Sequence, residues 1–366
     1  MCLNICLVIY LLIMKATWKK YEDKGLSGLS NMGNTCFVNS CFQVLSHTYE
    51  VSELIEDGTF TKRLSAHHEK KYAVDCFLLL EYYKLHKLMW EKNCVVSPGS
   101  FIKTIHNVAK HKNQELFMGW NQNDVSEFLL FVIDGFHNSL RREVIMNVKG
   151  EPDNETDKMA VACYNEIKKI YSKEYSEFIP IFGGVHMSRI LSKTGEVLSM
   201  KPEPFFVLDI PIPQDNKEPS LMDCMNLYCE KESLEGDNAW YNEKTKQKQD
   251  VDKQVVFWSL PNVMIISLKR FNALGRKIQV PVDIPLDNLD LSSYVYGYDN
   301  TSYVYELYGV CNHMGGTLGG HYTALVKNAN DKWYAYNDTI VKEVDIEKHF
   351  NKNYAYCLFY RKKVGV

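Results

Sequence analysis

The stretch Gly28-Leu-Ser-Asn31-Met-Gly33-Asn-Thr-Cys36-Phe-Val-Asn-Ser-Cys-Phe-Gln-Val-Leu45 constrains this chain more than any other. Small and polar residues precede Cys36, among them Gly28, Ser30, Asn31, Gly33 and Asn34, and they read as a loop with tight turns. After it, Phe37, Cys41, Val44, Leu45 and Thr48 recur at helical spacing, so a buried helix is expected to begin at or near Cys36. A thiol at a helix N-terminus lies at the positive end of the dipole, which favours the thiolate. Gly33 allows a tight bend there, and Asn31 brings an amide donor close to the same spot. A nucleophile with an oxyanion site beside it needs that geometry. The competing local reading is a core cysteine, because free cysteines are usually core residues and this chain has 11.

Those 11 cysteines are odd in number and scattered without a framework, which suits a reducing compartment, cytoplasmic or nuclear. A net charge of −3 with no long basic block implies no nucleic-acid partner. With 366 residues, 46% of them apolar, the chain can bury a substantial core in one large or two ordinary domains. The first residues, Met1 to Met14, are mostly apolar and are followed by Lys15, Lys19, Lys20 and Lys24. That run is short of the roughly 20 residues of a membrane span and lacks the positive start of a signal peptide. Residues 1–24 are therefore expected to be an apolar extension and linker, poorly packed over residues 1–14, with membrane tethering through residues 1–14 as the minor alternative. Asn337-Asp-Thr339 is a glycosylation sequon that falls on a candidate catalytic residue, which argues against secretion.

Residues 49–120 read as mainly helical, broken at Ser97-Pro98-Gly99-Ser100. Histidines 67, 68, 86, 106 and 111 lie among lysines and form no ligand pattern, and the adjacent pair at 67 and 68 suggests a solvated face. Val125, Phe128, Leu129, Val132, Ile133, Phe136 and Leu140 make one apolar face of a helix of about four turns. Asp124 and Glu127 at its start resemble a capping box with Asp in place of Ser or Thr. Alternatively, they face a groove and hold a basic partner, and Asp124 can do both. From Phe182 the texture changes to strands: a hairpin turning at Ser192–Gly195, a strand from Phe205 to Ile210, and β-rich runs at 255–259 and 263–271. A short helix from Ser220 to Cys229 interrupts them. Four further strand-like runs, 303–311, 322–327, 332–336 and 353–361, suggest an antiparallel sheet. A helical half followed by a sheet half is an α+β arrangement.

The second half of the constellation is Gly319-Gly320-His321-Tyr322, a histidine where a glycine loop enters a strand. Trp333-Tyr-Ala-Tyr-Asn337-Asp338 ends the next strand. If the two strands pair through an Asn328–Asp331 turn, His321 and Asn337 lie at the same end of the hairpin. Asn337 can then orient the imidazole, as an amide or carboxylate does in a cysteine-based triad.

Together these motifs resemble those of the ubiquitin-specific proteases, a family of cysteine deubiquitinases. Gly28–Ser40 is similar to its Cys box, Tyr305–Asp338 to its His box, Asn123-Asp124-Val-Ser-Glu127-Phe-Leu to its Q-D-A-x-E-F-L, and Leu268-Lys-Arg-Phe271 to its L-K-R-F. The resemblance runs from about residue 25 to 362. It implies a papain-like cysteine protease fold, with a helical thumb over about 25–175 and an antiparallel β palm and β fingers over about 176–362. It implies hydrolysis after the C-terminal glycine of ubiquitin through an acyl-enzyme, with no cofactor. Cys36 would be the nucleophile, His321 the base, Asn337 the orienting third member, Asp338 an assistant or substitute for it, and Asn31 the oxyanion donor. Asp124 and Glu127 would contact the basic tail region of ubiquitin, and Phe271 and Tyr322 would line its tail channel. The partners implied are ubiquitin and ubiquitinated proteins, met by a monomer.

One departure stands out. The family's two zinc-binding C-x-x-C pairs align with Leu191 and Thr194 and with Asn242 and Thr245, so all four ligands are missing. Cys224 and Cys229 have the wrong spacing to rebuild the site. No structural zinc is expected. Two other readings stand beside the protease: a catalytically silent ubiquitin-binding scaffold, which normally lacks a triad member, and a protease for another modifier ending in Gly-Gly.

Overall fold

A computed structural model gives the structure of residues 18–67, 69–272, 274–298, 303–316 and 319–363. The N-terminal half is helical: α1 (Cys36–Ser46), α2 (Tyr49–Ile55), α3 (Ala73–Glu91), α4 (Gly99–His111), α5 (Val125–Leu140), α6 (Glu155–Glu174) and α7 (Phe178–Phe182). Two short strands, β1 (Gly28–Leu29) and β2 (Val95–Val96), pair in parallel within it. The C-terminal half carries β3 (Gly184–Ser192), β4 (Val197–Phe205), β5 (Val207–Ile210), α8 (Leu221–Cys229), β6 (Glu232–Leu234), β7 (Trp240–Asn242), β8 (Gln247–Gln249), β9 (Val251–Ser259) and β10 (Val263–Leu268). It ends with β11 (Leu289–Asp290), β12 (Val304–Gly316), β13 (Gly319–Lys327), β14 (Trp333–Asn337), β15 (Ile340–Val344), α9 (Ile346–His349) and β16 (Ala355–Lys362).

Every residue of α1 is buried, so its apolar positions run round the whole helix rather than along a stripe. On one side Phe42 meets Phe101 and Phe128 edge to face, joining α1 to α4 and α5. On the other, α1 lies on β12 and β13. The helix comes so close to the sheet that a Cβ at Gly309 would stand 2.1 Å from Val44 Cγ1. Gly309 also sits at a register shift in the pairing of β12 with β16.

The sheet beneath has eight strands in the order β15-β14-β13-β12-β16-β10-β5, with β11 paired to β12. It is antiparallel except at one edge, where β5 runs parallel to β10, so the expected all-antiparallel palm is corrected there. The single strand expected over 205–210 is two: Phe205 ends β4 in a separate four-stranded sheet, β4-β3-β9-β6, while Val207 opens β5 in the large one. Helix α6 packs Met159, Ala160 and Cys163 against Val185, Met187, Val256 and Trp258 of the smaller sheet.

Arg270, in the Leu-Lys-Arg-Phe run, is fully buried without a carboxylate. Its guanidinium donates instead to four backbone carbonyls: Nε to Ala355 (2.6 Å), Nη1 to Ile278 (3.1 Å) and Val280 (2.9 Å), and Nη2 to Lys352 (2.7 Å). Two chain segments, 278–280 and 352–355, are fastened to one side chain.

In the separate two-stranded β7–β8 hairpin, Asn242 Oδ1 accepts the backbone N–H groups of Lys244 and Thr245 at 2.9 and 3.4 Å. Lys193, in the turn between β3 and β4, pairs with Glu235 at 2.7 Å and Asp252 at 2.8 Å. Polar turns and an ion cluster thus occupy the places aligned with the two cysteine pairs. Among the described residues no three His, Cys, Asp or Glu side chains group to hold a metal ion.

His86 is buried, hydrogen-bonds Ser52 Oγ at 2.9 Å, and burial lowers its pKa to about 3. His68 lies outside the described residues. In the linker after the apolar run, Tyr21 is 4% exposed and stacks on Tyr49 at 4.8 Å. Residues 1–14, the apolar run, lie outside the described residues, and among those described no helix is long and apolar enough to cross a membrane.

Candidate active site

Cys36 is the first residue of α1. The loop before it turns through Gly33 (φ 107°) and Asn34 (φ 53°), both in the left-handed region, and Asn31 Oδ1 holds it by accepting the N–H groups of Gly33 (3.0 Å) and Thr35 (3.2 Å). That loop is pressed against the far end of the chain. Leu29 N–H donates to the Asp338 carbonyl at 2.8 Å, and a Cβ at Gly28 would lie 2.3 Å from the Thr339 carbonyl oxygen. Gly28 therefore allows the Cys36 loop and the turn after Asn337 to touch backbone to backbone.

Strands β13 and β14 pair through the Asn328–Asp331 turn, as the sequence suggests. His321 Nε2 and Asn337 Oδ1 are 2.7 Å apart. An amide oxygen can only accept, so Nε2 carries the proton and the neutral imidazole keeps its Nδ1 lone pair. Asp338 faces elsewhere. Its carboxylate accepts Asn31 Nδ2 at 3.0 Å and Asn39 Nδ2 at 2.7 Å, bracing the Cys36 loop and α1 rather than the imidazole. Asn31 accordingly spends one amide hydrogen on Asp338.

The thiol does not show the lowered pKa expected from the helix dipole. Burial pushes it up, the N–H of Tyr322 pulls it down, and the negative charge of Asp338 adds to the rise. Desolvation of an anion outweighs the dipole here. Gln122 is a residue that the spacing did not single out. Its Nε2 is 3.9 Å from Cys36 Sγ, and its Oε1 accepts the Gly320 N–H at 2.9 Å. In sequence it is one amide in the run Asn121-Gln122-Asn123, with nothing to mark it beyond its place before the capped helix.

A cavity of about 540 Å³ opens beside the thiol, lined by Gln122, Asp124, Phe271, His313, Gly319 and Tyr322 among others. His313 lies on Tyr322 with ring centroids 4.5 Å apart, and Phe271 leans on His313 at 5.9 Å. Lys277 Nζ is 3.2 Å from His313 Nδ1, and burial together with this cation lowers the histidine's pKa to about 4. Asp124 is the N-cap of α5, accepting the N–H groups of Ser126 (2.8 Å) and Glu127 (3.2 Å), and it also accepts the Tyr356 hydroxyl. It thus both caps and faces the cavity. Glu127 is exposed on the first turn of α5, its carboxyl raised by burial and then by the charges of Asp124 and Asp209.

The family described as ubiquitin carboxyl-terminal hydrolase matches residues 27–360. The chain belongs to that family. It is 32% identical to ubiquitin carboxyl-terminal hydrolase 2 of Gallus gallus over 350 residues, which cover 92% of this chain and 93% of that one. It is equally 32% identical to ubiquitin carboxyl-terminal hydrolase Usp2 of Drosophila melanogaster, covering 93% of this chain but 35% of the fly protein. The chain therefore spans only part of several longer relatives. In fold it is similar to Ubp8 in a solved structure, the SAGA Ubp8/Sgf11/Sus1/Sgf73 DUB module bound to ubiquitin aldehyde. There the TM-score is 0.67 at 24% identity, over 93% of this chain and 70% of the other. A mixed helix-and-sheet, papain-like α+β fold follows.

Proposed function

We propose that this member of the ubiquitin carboxyl-terminal hydrolase family is a deubiquitinating thiol isopeptidase working through Cys36, His321 and Asn337. The observation that carries the reading is the 2.7 Å His321–Asn337 pair, set beside a buried helix N-terminal thiol at the end of a cavity walled by glycines and aromatic rings. A cavity with Gly316 and Gly319 on one side and Phe271 and Tyr322 on another suits an extended tail ending in small residues. Asp124 and Glu127 supply negative charge where a basic tail would pass.

Because the resting thiol is held neutral by burial, its proton moves to His321 Nδ1 as sulfur attacks the carbonyl carbon. Asn337 Oδ1 stabilises the imidazolium through Nε2–H. His321 then protonates the departing lysine amine, and water, deprotonated by the same ring, hydrolyses the thioester. Ubiquitin as the modifier rests on the family and on relatives bearing that name.

The test is reaction with a ubiquitin probe carrying a C-terminal electrophile, wild type against Cys36→Ala. A covalent adduct in the wild type alone is expected. Binding without an adduct would favour a silent scaffold, and neither would turn attention to other modifiers ending in Gly-Gly.

A further inference from the structure

Two side-chain amides belong to the surroundings of Cys36, and only one of them is seen to reach the thiol. Asn31 spends Oδ1 on the Gly33 and Thr35 N–H groups and points Nδ2 at Asp338. Gln122 takes its oxygen to the Gly320 N–H at 2.9 Å and aims Nε2 at Cys36 Sγ, 3.9 Å away. Its orientation is fixed by chemistry: a backbone N–H only donates, so the amide oxygen must face Gly320 and the nitrogen must face sulfur. Gly320 is the residue before His321, so one side chain bridges the nucleophile and the segment that carries the base. Gln122 also lines the cavity assigned above to the substrate tail.

We infer that Gln122 is a catalytic residue, the side-chain donor to the oxyanion formed at Cys36. This rests on the thiol-protease reading. In the step concerned, the Sγ–H proton passes to His321 and the sulfur electron pair forms the S–C bond. The C=O π pair moves to oxygen, which accepts the Gln122 N–H. On collapse the C=O bond reforms, the C–N bond breaks, and the amine takes its proton from His321, so no other reactant is required. The Gly320 N–H anchors the amide before substrate arrives, so the donor needs no reorganisation during reaction. An uncharged donor also avoids adding a cation that would have to be desolvated beside the thiol.

Gln122→Glu keeps an oxygen for Gly320 and replaces the donor by a carboxylate. With ubiquitin bearing a C-terminal fluorogenic amide, its kcat should fall about 100-fold at pH 8, as loss of one oxyanion donor does elsewhere. KM should stay within about threefold, the mark of an interaction made only in the transition state. Affinity for ubiquitin aldehyde, whose adduct is tetrahedral, should fall by the same factor as kcat/KM, while binding of unmodified ubiquitin is unchanged. The deficit should narrow toward acid pH, where the introduced carboxyl is protonated and can donate. Gln122→Ala reads the same quantities without a charge, should the first variant melt early. An unchanged kcat, or a loss confined to KM, overturns the inference, as does loss in Asn31→Ala with none in either Gln122 variant. A wild type that neither hydrolyses the amide nor labels with the probe overturns the functional reading itself, whatever the variants do.

Discussion

At the scale of single residues, the site is governed by competition between dipole and desolvation at Cys36. A cysteine opening a helix gains some stabilisation of its thiolate, yet burial and the nearby Asp338 carboxylate push this thiol the other way. The charge of Asp338 disfavours the anion, so removing it lowers the thiol pKa. Asp338→Asn should therefore move the alkaline limb of Cys36 alkylation by iodoacetamide to lower pH, measured as labelling rate against pH. A limb that stays in place would show that Asp338 acts only by bracing Asn31 and Asn39. The sequence made the residue types legible here: Cys36, His321, Asn337 and Asp338 stand in motifs. It could not reveal the partners. Whether Asp338 faces an imidazole or two amides is decided by its left-handed backbone (φ 48°), a property no spacing reports. Gln122 was hidden for a related reason, since its role comes from meeting Gly320 in space.

At the scale of elements, helix α1 is the part most exposed to small changes. It is clamped between α4 and α5 on one side and β12–β13 on the other, and Gly309 is where it touches the sheet. Gly309→Val would force a side chain into Val44, and overpacking of this kind typically costs about 1–3 kcal/mol. A lower denaturation midpoint is expected, with activity lost beyond what unfolding explains, because α1 carries Cys36. Arg270 fastens the segments around Ile278, Lys352 and Ala355 in the same way. Arg270→Met removes a donor set from four buried carbonyls. Each carbonyl left unsatisfied costs about 1–3 kcal/mol, so the variant should be poorly folded, as judged by its denaturation profile. The helices and the β13–β14 hairpin could be read from periodicity and turn residues. The division of residues 205–210 between two sheets could not, because the apolar run is continuous and only tertiary pairing separates Phe205 from Val207. The parallel edge at β5 was hidden likewise, since strand direction in a sheet is set by the path of the connection and not by the strand itself.

At the scale of the molecule, buried histidines set the response to acid. His47 is fully buried between Gln43 and Arg361, and burial lowers its pKa to about 4 from an ordinary 6.5. His86 behaves alike. A base whose folded pKa is depressed is neutral in the folded state and charged in the unfolded one below pH 6.5, so the unfolded chain binds more protons there and stability falls as pH drops toward 4. His47 alone should account for about 3 kcal/mol over that interval, at 1.36 kcal/mol per unit. Chemical denaturation at pH 7.5 and 4.5 should show the loss, and His47→Gln should flatten it. A flat profile in the wild type would mean that the folded protein takes up these protons as readily as the unfolded chain does.

The strand order carries one more consequence. β16 follows all the other described strands in the sequence, yet it lies in the middle of the large sheet, between β12 and β10. A ribosome that has passed Cys36, His321 and Asn337 has made every member of the proposed triad, but it has not made the strand that joins the two halves of the platform beneath them. Until residues 355–362 emerge, β12 and β10 each present an open edge ready to accept a foreign strand. A message cut short just upstream of Ala355 would therefore yield a sticky product for quality control to clear, rather than a protease released early among its substrates.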